Sequence, residues 1–366
     1  MKRVIVLGAG KIGTSIAKLL VECGDYRVTL VDAEQAALDR LEPRFAVIKK
    51  VLDVSYSKVL VDTLSQQDIV VSACAFNFNV GIAKAALEAG VSYFDLTEDV
   101  ETTNSIRQLA EQARDGQIFM PQCGLAPGFI GILGYHMFNK FERVSKVKMR
   151  VGALPQFPSN MMMYNLTWST DGLINEYCNP CEAILDGERV MVQSLEGLER
   201  FSLDGIDYEA FNTSGGLGTL CETLEGKVSS LDYKTVRYQG HCYLMSFLTR
   251  SLKLNRRREL LKEILEEAVP ITKQDVVLVA CEVDGWRNGI FEQESNVRKI
   301  YNRTLFDESW SSIQITTAAS LCTIIDLFAH GKLGTKGFVR QEEVNFDDFM
   351  ANRFGQYYQV ENARGV

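Results

Sequence analysis

The residues Gly8, Ala9, Gly10, Lys11, Ile12 and Gly13 follow a β-branched run, Val4 to Leu7, and open an apolar-periodic stretch containing Ile16, Leu19 and Leu20. A G-x-G-x-x-G spacing between a strand and a helix leaves few folds open. The first glycine permits a tight turn, the second lets a pyrophosphate approach the backbone, and the third lets helix and strand pack closely. The pattern alone also fits a plain glycine turn. Its context points to a dinucleotide instead, because helix N-terminal amides attract phosphate and an acidic residue, Asp32, ends the next strand about 20 residues on.

The Asp32 carboxylate suits an adenosine ribose and repels a 2'-phosphate, and Ala33 and Glu34 follow it with no arginine. The expected cofactor is therefore NAD(H) rather than NADP(H).

Short β-branched runs alternate with helical stretches as far as residue 121, predicting strands at 3–7, 27–31, 46–51, 69–72, 92–95 and 117–120. Joined by right-handed crossovers and buried on both faces, they make a doubly wound Rossmann parallel sheet. Half-exposed segments such as 146–151, 162–168 and 276–283 then predict a second α+β domain with a mixed or antiparallel sheet. A helix over 312–330 follows, expected to pack back on the first domain. The fold class is α/β, with a dinucleotide-binding domain at 1–125, a substrate-binding and dimerisation domain at 126–310 and a C-terminal helical segment at 311–366. Two domains leave a cleft for a substrate.

Composition narrows the function classes. The chain has 366 residues, 46% hydrophobic and 23% charged, with a net charge of -8. No uninterrupted apolar run reaches the roughly 18 residues of a membrane span. Arg256, Arg257 and Arg258 open a helix whose other face is Leu260, Leu261, Ile264 and Leu265, which predicts a solvated helix face and no nucleic-acid partner. Nine cysteines, an odd number scattered through apolar segments, read as reduced core residues of a soluble cytoplasmic protein. Cys178 and Cys181 form a lone C-x-x-C, read as a turn around Pro180 rather than a zinc site, and no metal is expected.

In this sheet type the ligand crevice lies at the carboxyl ends of the strands. That places Asp53 near the adenine, with helix capping as an equal alternative. Ala73, Cys74, Leu96, Cys123 and Gly124 fall along the nicotinamide half, as do the acidic Asp95 and Glu98.

From the stretch CGLAPGF at 123–129 onward the sequence resembles the saccharopine dehydrogenase superfamily, and the resemblance covers nearly the whole chain. It continues in VGALP at 151–155, YNLTWS at 164–169, GLINEY at 172–177 with Pro180, TSGGL at 213–217 and TVRYQGH at 235–241. Saccharopine reductases and carboxynorspermidine dehydrogenases usually carry G-x-D-P-G in the first motif. Ala126 and the Asn175-Glu176-Tyr177 segment instead resemble the L-lysine 6-dehydrogenase branch. The resemblance implies NAD-dependent oxidation of the ε-amine of L-lysine, or of a related amine, with the imine hydrolysing to an aldehyde and ammonia and the product cyclising to a piperideine carboxylate. It also implies a homodimer. Two alternatives stay open: a saccharopine- or carboxynorspermidine-type imine reductase, and a non-catalytic NAD(H) sensor.

Hydride leaves an amine carbon only when the nitrogen is uncharged, so an ammonium of pKa about 10 must lose a proton. The candidate bases are His241, Asp95 and Glu98, with His241 ranked first. Of the three histidines, His136 and His330 read as structural. Arg237 can clamp a substrate carboxylate or form an ordinary ion pair. Thr213, Ser214 and Gly215 can offer hydroxyl and N–H groups to the same carboxylate or form a plain turn, and Tyr177 is expected to line the pocket.

Overall fold

A computed structural model describes residues 1–55 and 57–359. The described chain divides into two compact units, residues 1–129 with 316–357 and residues 130–315 with 358–359. The expected boundaries, 125/126 and 310/311, fall a few residues early.

In the first unit the strands are β1 Lys2–Leu7, β2 Tyr26–Asp32, β3 Ile48–Val51, β4 Ile69–Ser72, β5 Ser92–Asp95 and β6 Ile118–Met120. They pair in parallel in the order β6-β5-β4-β1-β2-β3, so connections leave β1 in both directions, which opens a crevice at its carboxyl end. Val4, Ile5, Val6 and Leu7 have no solvent exposure; at about 1.5–3 kcal/mol per side chain their burial is worth roughly 6–12 kcal/mol before chain entropy is subtracted. β3 departs from expectation: as the edge strand it is exposed at all four residues, because no strand lies beyond it. Near the C-terminus, Gly337–Phe338 pairs in parallel with β6 and adds a further strand. The Asp326 carboxylate fastens the same C-terminal region, accepting from Tyr26 Oη at 2.5 Å, Asn352 Nδ2 at 2.7 Å and Arg353 Nη2 at 2.6 Å.

The second unit holds β7 Arg143–Pro155, β8 Cys181–Leu185, β9 Glu188–Val192, β10 Glu199–Leu203, β11 Ile206–Asn212, β12 Ser230–Tyr238, β13 Asp275–Arg287 and β14 Ile290–Tyr301. The main path runs β10-β11-β12-β7-β13-β14, with β8 and β9 hung from β12. Only the β12–β7 pairing is parallel, so the sheet is mixed. It curls strongly: Lys299 on one edge strand meets Asp204, in the turn at the opposite edge, at 2.6 Å. Tyr208 and Tyr238 stack on the face carrying Leu154, Val236 and Leu278.

The strand expected at 162–168 does not form. Met163 takes a positive φ of 50° after a turn onto Asn160, and Leu166 makes only an isolated bridge to Ile271. Tyr164, Asn165 and Thr167 are nevertheless buried, so the segment's apolar pattern reflects a buried loop. The helix expected from 256 begins at Arg258, after a 3-10 turn at Leu254–Arg256, and buries Leu261 and Leu265 while Ile264 stays exposed. The helix Ser312–Ala329 is long and apolar enough for a membrane span, yet 78% of it is buried inside the protein; its N–H groups at Ser312 and Ile313 donate to the buried Asp275 carboxylate.

Candidate active site

The glycine loop after β1 uses its three glycines for three different reasons. Gly8 sits at φ 100°, and a Cβ there would lie 2.7 Å from the Ala73 carbonyl oxygen. A Cβ on Gly13 would lie 1.9 Å from the Gly8 carbonyl oxygen and 3.1 Å from the Ala73 Cβ, so the third glycine lets the helix Lys11–Glu22 pack on β1 and β4. Gly10 is different: its backbone is extended, at φ -69°, and a Cβ would meet nothing within 4 Å. No side chain caps that helix and its first turn carries no acid. The loop therefore fits a dinucleotide pyrophosphate, which needs the open approach at Gly10 and the amides beyond it. Lys11 and Ile12 are the first residues of that turn.

Asp32 braces this loop, its carboxylate accepting from Ala9 N at 2.7 Å and Glu34 N at 3.0 Å. Asp53 is exposed and holds its own turn, accepting from Ser55 N and Oγ at 2.9 and 2.6 Å; these hydrogen bonds hold its carboxyl below the usual range. Cys74 is half-buried after β4, and desolvation raises its thiol to about 11.

Asp95 is fully buried. Thr97 N and Gln122 N donate to one of its oxygens at 3.0 Å each, while Tyr93 Oη and Asn79 Nδ2 donate to the other at 2.8 and 3.1 Å. Asn79 in turn accepts from Ser72 Oγ at 2.7 Å. Burial raises the Asp95 carboxyl to about 6 against the pull of these donors. With both oxygens occupied and no solvent contact it cannot reach a substrate amine, which corrects the expectation of an acid–base role. Asp95 instead ties the ends of β4 and β5 to the segment after β6. There Gln122 adopts φ 66°, Cys123 N donates to the Asp95 carbonyl at 2.9 Å and Gly124 bridges to Gly128. Leu96 and Glu98, beyond β5, are half-buried.

In the second unit Arg237, Tyr177 and His241 meet. All three are at most 2% exposed. Arg237 Nε donates to Tyr177 Oη at 2.9 Å and Nη1 to the Val236 carbonyl at 2.8 Å. Among the described residues Nη2 has no hydrogen-bond partner. Burial opposes the guanidinium charge, but the fields of Tyr177, Tyr164 and Glu176 and the Tyr177 hydrogen bond outweigh it and raise its pKa. His241 Nε2 lies 3.0 Å from Tyr177 Oη and Nδ1 2.9 Å from the Met162 carbonyl. Burial first, and then the Arg237 charge, lower this imidazole to about 3. So low a basicity argues against the first-ranked base.

Ser214 is committed to the helix Thr170–Cys178: its N donates to the Glu176 carbonyl at 3.0 Å and its Oγ to that of Asn175 at 3.3 Å. Gly215 turns the chain at φ 85°. Thr213 Oγ1 is buried and, among the described residues, has no hydrogen-bond partner. Sequence reasoning missed Glu209, whose carboxylate accepts from Gly240 N at 3.0 Å and Cys242 N at 2.6 Å. No sequence signal marks it, because its place opposite Arg237 is set by the register of β11 on β12.

Residues 4–120 match the family model described as saccharopine dehydrogenase NADP binding domain, and residues 124–354 match that of the saccharopine dehydrogenase C-terminal domain. Bovine (Bos taurus) mitochondrial alpha-aminoadipic semialdehyde synthase is 21% identical over 299 residues, covering 78% of this chain and 31% of the relative. The chain thus spans about a third of the length of that relative. Saccharopine dehydrogenase [NADP(+), L-glutamate-forming] of Saccharomyces cerevisiae is 24% identical over 200 residues, covering 53% of this chain and 44% of the relative. A solved structure of the apo L-glutamate-forming saccharopine dehydrogenase from Saccharomyces cerevisiae superposes with a TM-score of 0.79 at 16% identity, covering 95% of this chain and 96% of the other. With a nicotinamide dinucleotide loop built as described and both family models matched in succession, the chain belongs to the saccharopine dehydrogenase family of oxidoreductases.

Proposed function

We propose that this protein is an NAD(H)-dependent dehydrogenase that oxidises the ε-amine of L-lysine or a close analogue. The observation that carries this reading is Arg237, a buried residue whose Nη2 has no hydrogen-bond partner among the described residues and so offers a charged amino group to a substrate carboxylate. Asp32 at the end of β2, with no arginine after it, supports NAD(H). Ala126, where the related imine reductases usually have aspartate, supports a primary amine.

The nicotinamide supplies the electron sink when bound. Bound at the glycine loop, it would take the hydride of the amine carbon once the nitrogen has lost its proton, and the imine left on the substrate would add water and release ammonia. Of the three acid–base candidates only Glu98 is reached by solvent, and in this reading it takes the proton. A Glu98→Gln variant should lose at least about tenfold in kcat, mostly at neutral pH; unchanged turnover would remove that role.

The names of the relatives favour a second reading, in which the substrate is a secondary amine such as saccharopine. NADH formation at about pH 9, where neutral amine is abundant, measured separately with L-lysine and saccharopine and scored for ammonia, separates the two. Lysine turnover with ammonia release supports the first reading. Turnover of saccharopine alone, without ammonia, replaces it with the second. Parallel assays with NADP+ test the cofactor choice.

A further inference from the structure

The hydrogen bonds around Arg237 run in one direction only. The Met162 carbonyl can only accept, so Nδ1 of His241 carries a proton. Arg237 Nε can only donate, so the Tyr177 oxygen accepts from it. The single Tyr177 hydrogen must then go to Nε2 of His241, which has to be unprotonated to receive it. Were Nε2 also protonated, Tyr177 would face two donors and its own hydrogen would have no acceptor, a buried mismatch.

The surroundings enforce this arrangement. Glu209 accepts from the backbone N–H groups on both sides of His241, those of Gly240 and Cys242. The imidazole lies nearly parallel to the Phe211 ring at 6.3 Å between centroids, and the Tyr164 and Tyr177 rings flank it at 5.1 and 5.8 Å. Tyr164 also underlies the guanidinium, 5.0 Å from ring to carbon.

We infer that His241 is a positioning residue, which orients the Tyr177 hydroxyl so that Arg237 is held by Nε and Nη1 and its remaining amino group is presented to a substrate carboxylate. This rests on the proposed use of Arg237 as the carboxylate clamp. The chain Met162, His241, Tyr177, Arg237 then sets affinity for the carboxylate end of the substrate. Proton removal from the amine occurs elsewhere.

The test compares two replacements. Glutamine at 241 keeps one donor and one acceptor but cannot act as a base; phenylalanine keeps the ring shape and has neither. With L-lysine and NAD+, His241→Phe should raise KM at least about tenfold while kcat stays within about threefold. His241→Gln should recover most of that affinity, and the pH profile of kcat should keep its shape in both. Equal collapse of kcat in both variants, or an unchanged KM in His241→Phe, would overturn the inference and leave the amine dehydrogenase reading standing. Should the wild type oxidise neither L-lysine nor saccharopine, the functional reading fails, and the relay is tested on its own by nitrogen-15 NMR of the imidazole. The Nδ1–H tautomer between about pH 5 and pH 8 supports it; an Nε2–H tautomer or an imidazolium there overturns it.

Discussion

Gly10 and Gly13 belong to one motif, yet the structure gives opposite reasons for them, so replacing each by alanine separates cofactor binding from folding. At Gly10 the backbone is extended and a Cβ meets nothing within 4 Å. Alanine adopts that conformation without strain and restricts the unfolded chain, a gain of about 0.4–1 kcal/mol. In a unit of this size that raises Tm by no more than about 4 °C. The only thing the methyl group can strike is a ligand lying over it, so NADH should bind at least about tenfold more weakly, near 1.4 kcal/mol. At Gly13 the added Cβ lies 1.9 Å from the Gly8 carbonyl oxygen, a backbone atom that cannot swing away. Overpacking of this kind costs about 1–3 kcal/mol or more, lowering Tm by roughly 2–12 °C, and the shifted helix should lose the cofactor as well. Thermal unfolding of the cofactor-free proteins, with NADH titrations followed by fluorescence, reads both quantities. NADH affinity in Gly10→Ala equal to wild type would refute the placement of the pyrophosphate. A fall in Tm as large as that of Gly13→Ala would refute the claim that Gly10 faces open space.

Further outcomes follow from the carboxylates and the buried histidine. Asp32→Ala removes the acceptor for Ala9 N and Glu34 N and should weaken NAD+ about tenfold while narrowing its advantage over NADP+; an unchanged preference in parallel titrations would remove Asp32 from cofactor selection. Asp95 and His241 affect the pH dependence of stability in opposite ways. The folded Asp95 pKa is raised to about 6 from 3.8, so its contribution is fully present below 3.8 and is lost as pH rises through 6. The folded His241 pKa is lowered to about 3 from 6.5, so its contribution is present above 6.5 and is lost as pH falls towards 3. Asp95→Asn, which turns an amide against some of the four donors, should destabilise the protein by about 1–3 kcal/mol and more strongly at pH 4 than at pH 8. Unfolding curves showing a deficit that does not vary with pH would refute the raised value.

The first unit was legible because every requirement there is local. A glycine run between a strand and a helix, an acid one strand later and short β-branched segments specify the sheet almost residue by residue. The exposed edge strand β3 was misjudged because its burial depends on what lies beyond it, which no local pattern records. In the second unit the loop at 162–168 reads as a strand because buried loops share the apolar content of strands; only the positive φ at Met163 separates them. Site residues divide in the same way. Asp95 was found as an acid at a strand end, but whether such a group meets a ligand or four backbone and side-chain donors depends on Asn79, Tyr93 and Gln122, which the fold gathers from three elements. His241 was chosen for its chemistry, and its partners Met162 and Tyr177, 79 and 64 residues away, decide what that chemistry can be.

The two buried charges at the centre of these units are satisfied unequally, and the inequality is itself a statement about ligands. Asp95 has both oxygens filled by donors from its own unit. Arg237 has a phenol and a backbone carbonyl on Nε and Nη1 and, among the described residues, nothing on Nη2. A guanidinium otherwise buried, with one amino group left over, is a ready partner for a bound anion. Saturating L-lysine should therefore stabilise the protein, by about 2.7 kcal/mol at a hundred times its Kd, whereas cadaverine, the same diamine without the carboxylate, should stabilise it far less. In Arg237→Lys, which keeps the charge but cannot hold Tyr177 and the Val236 carbonyl while also presenting a donor to the ligand, the difference between the two ligands should shrink. Equal stabilisation of the wild type by lysine and cadaverine would mean that the amine ends carry recognition, and that the guanidinium is held in place for the fold rather than for a substrate.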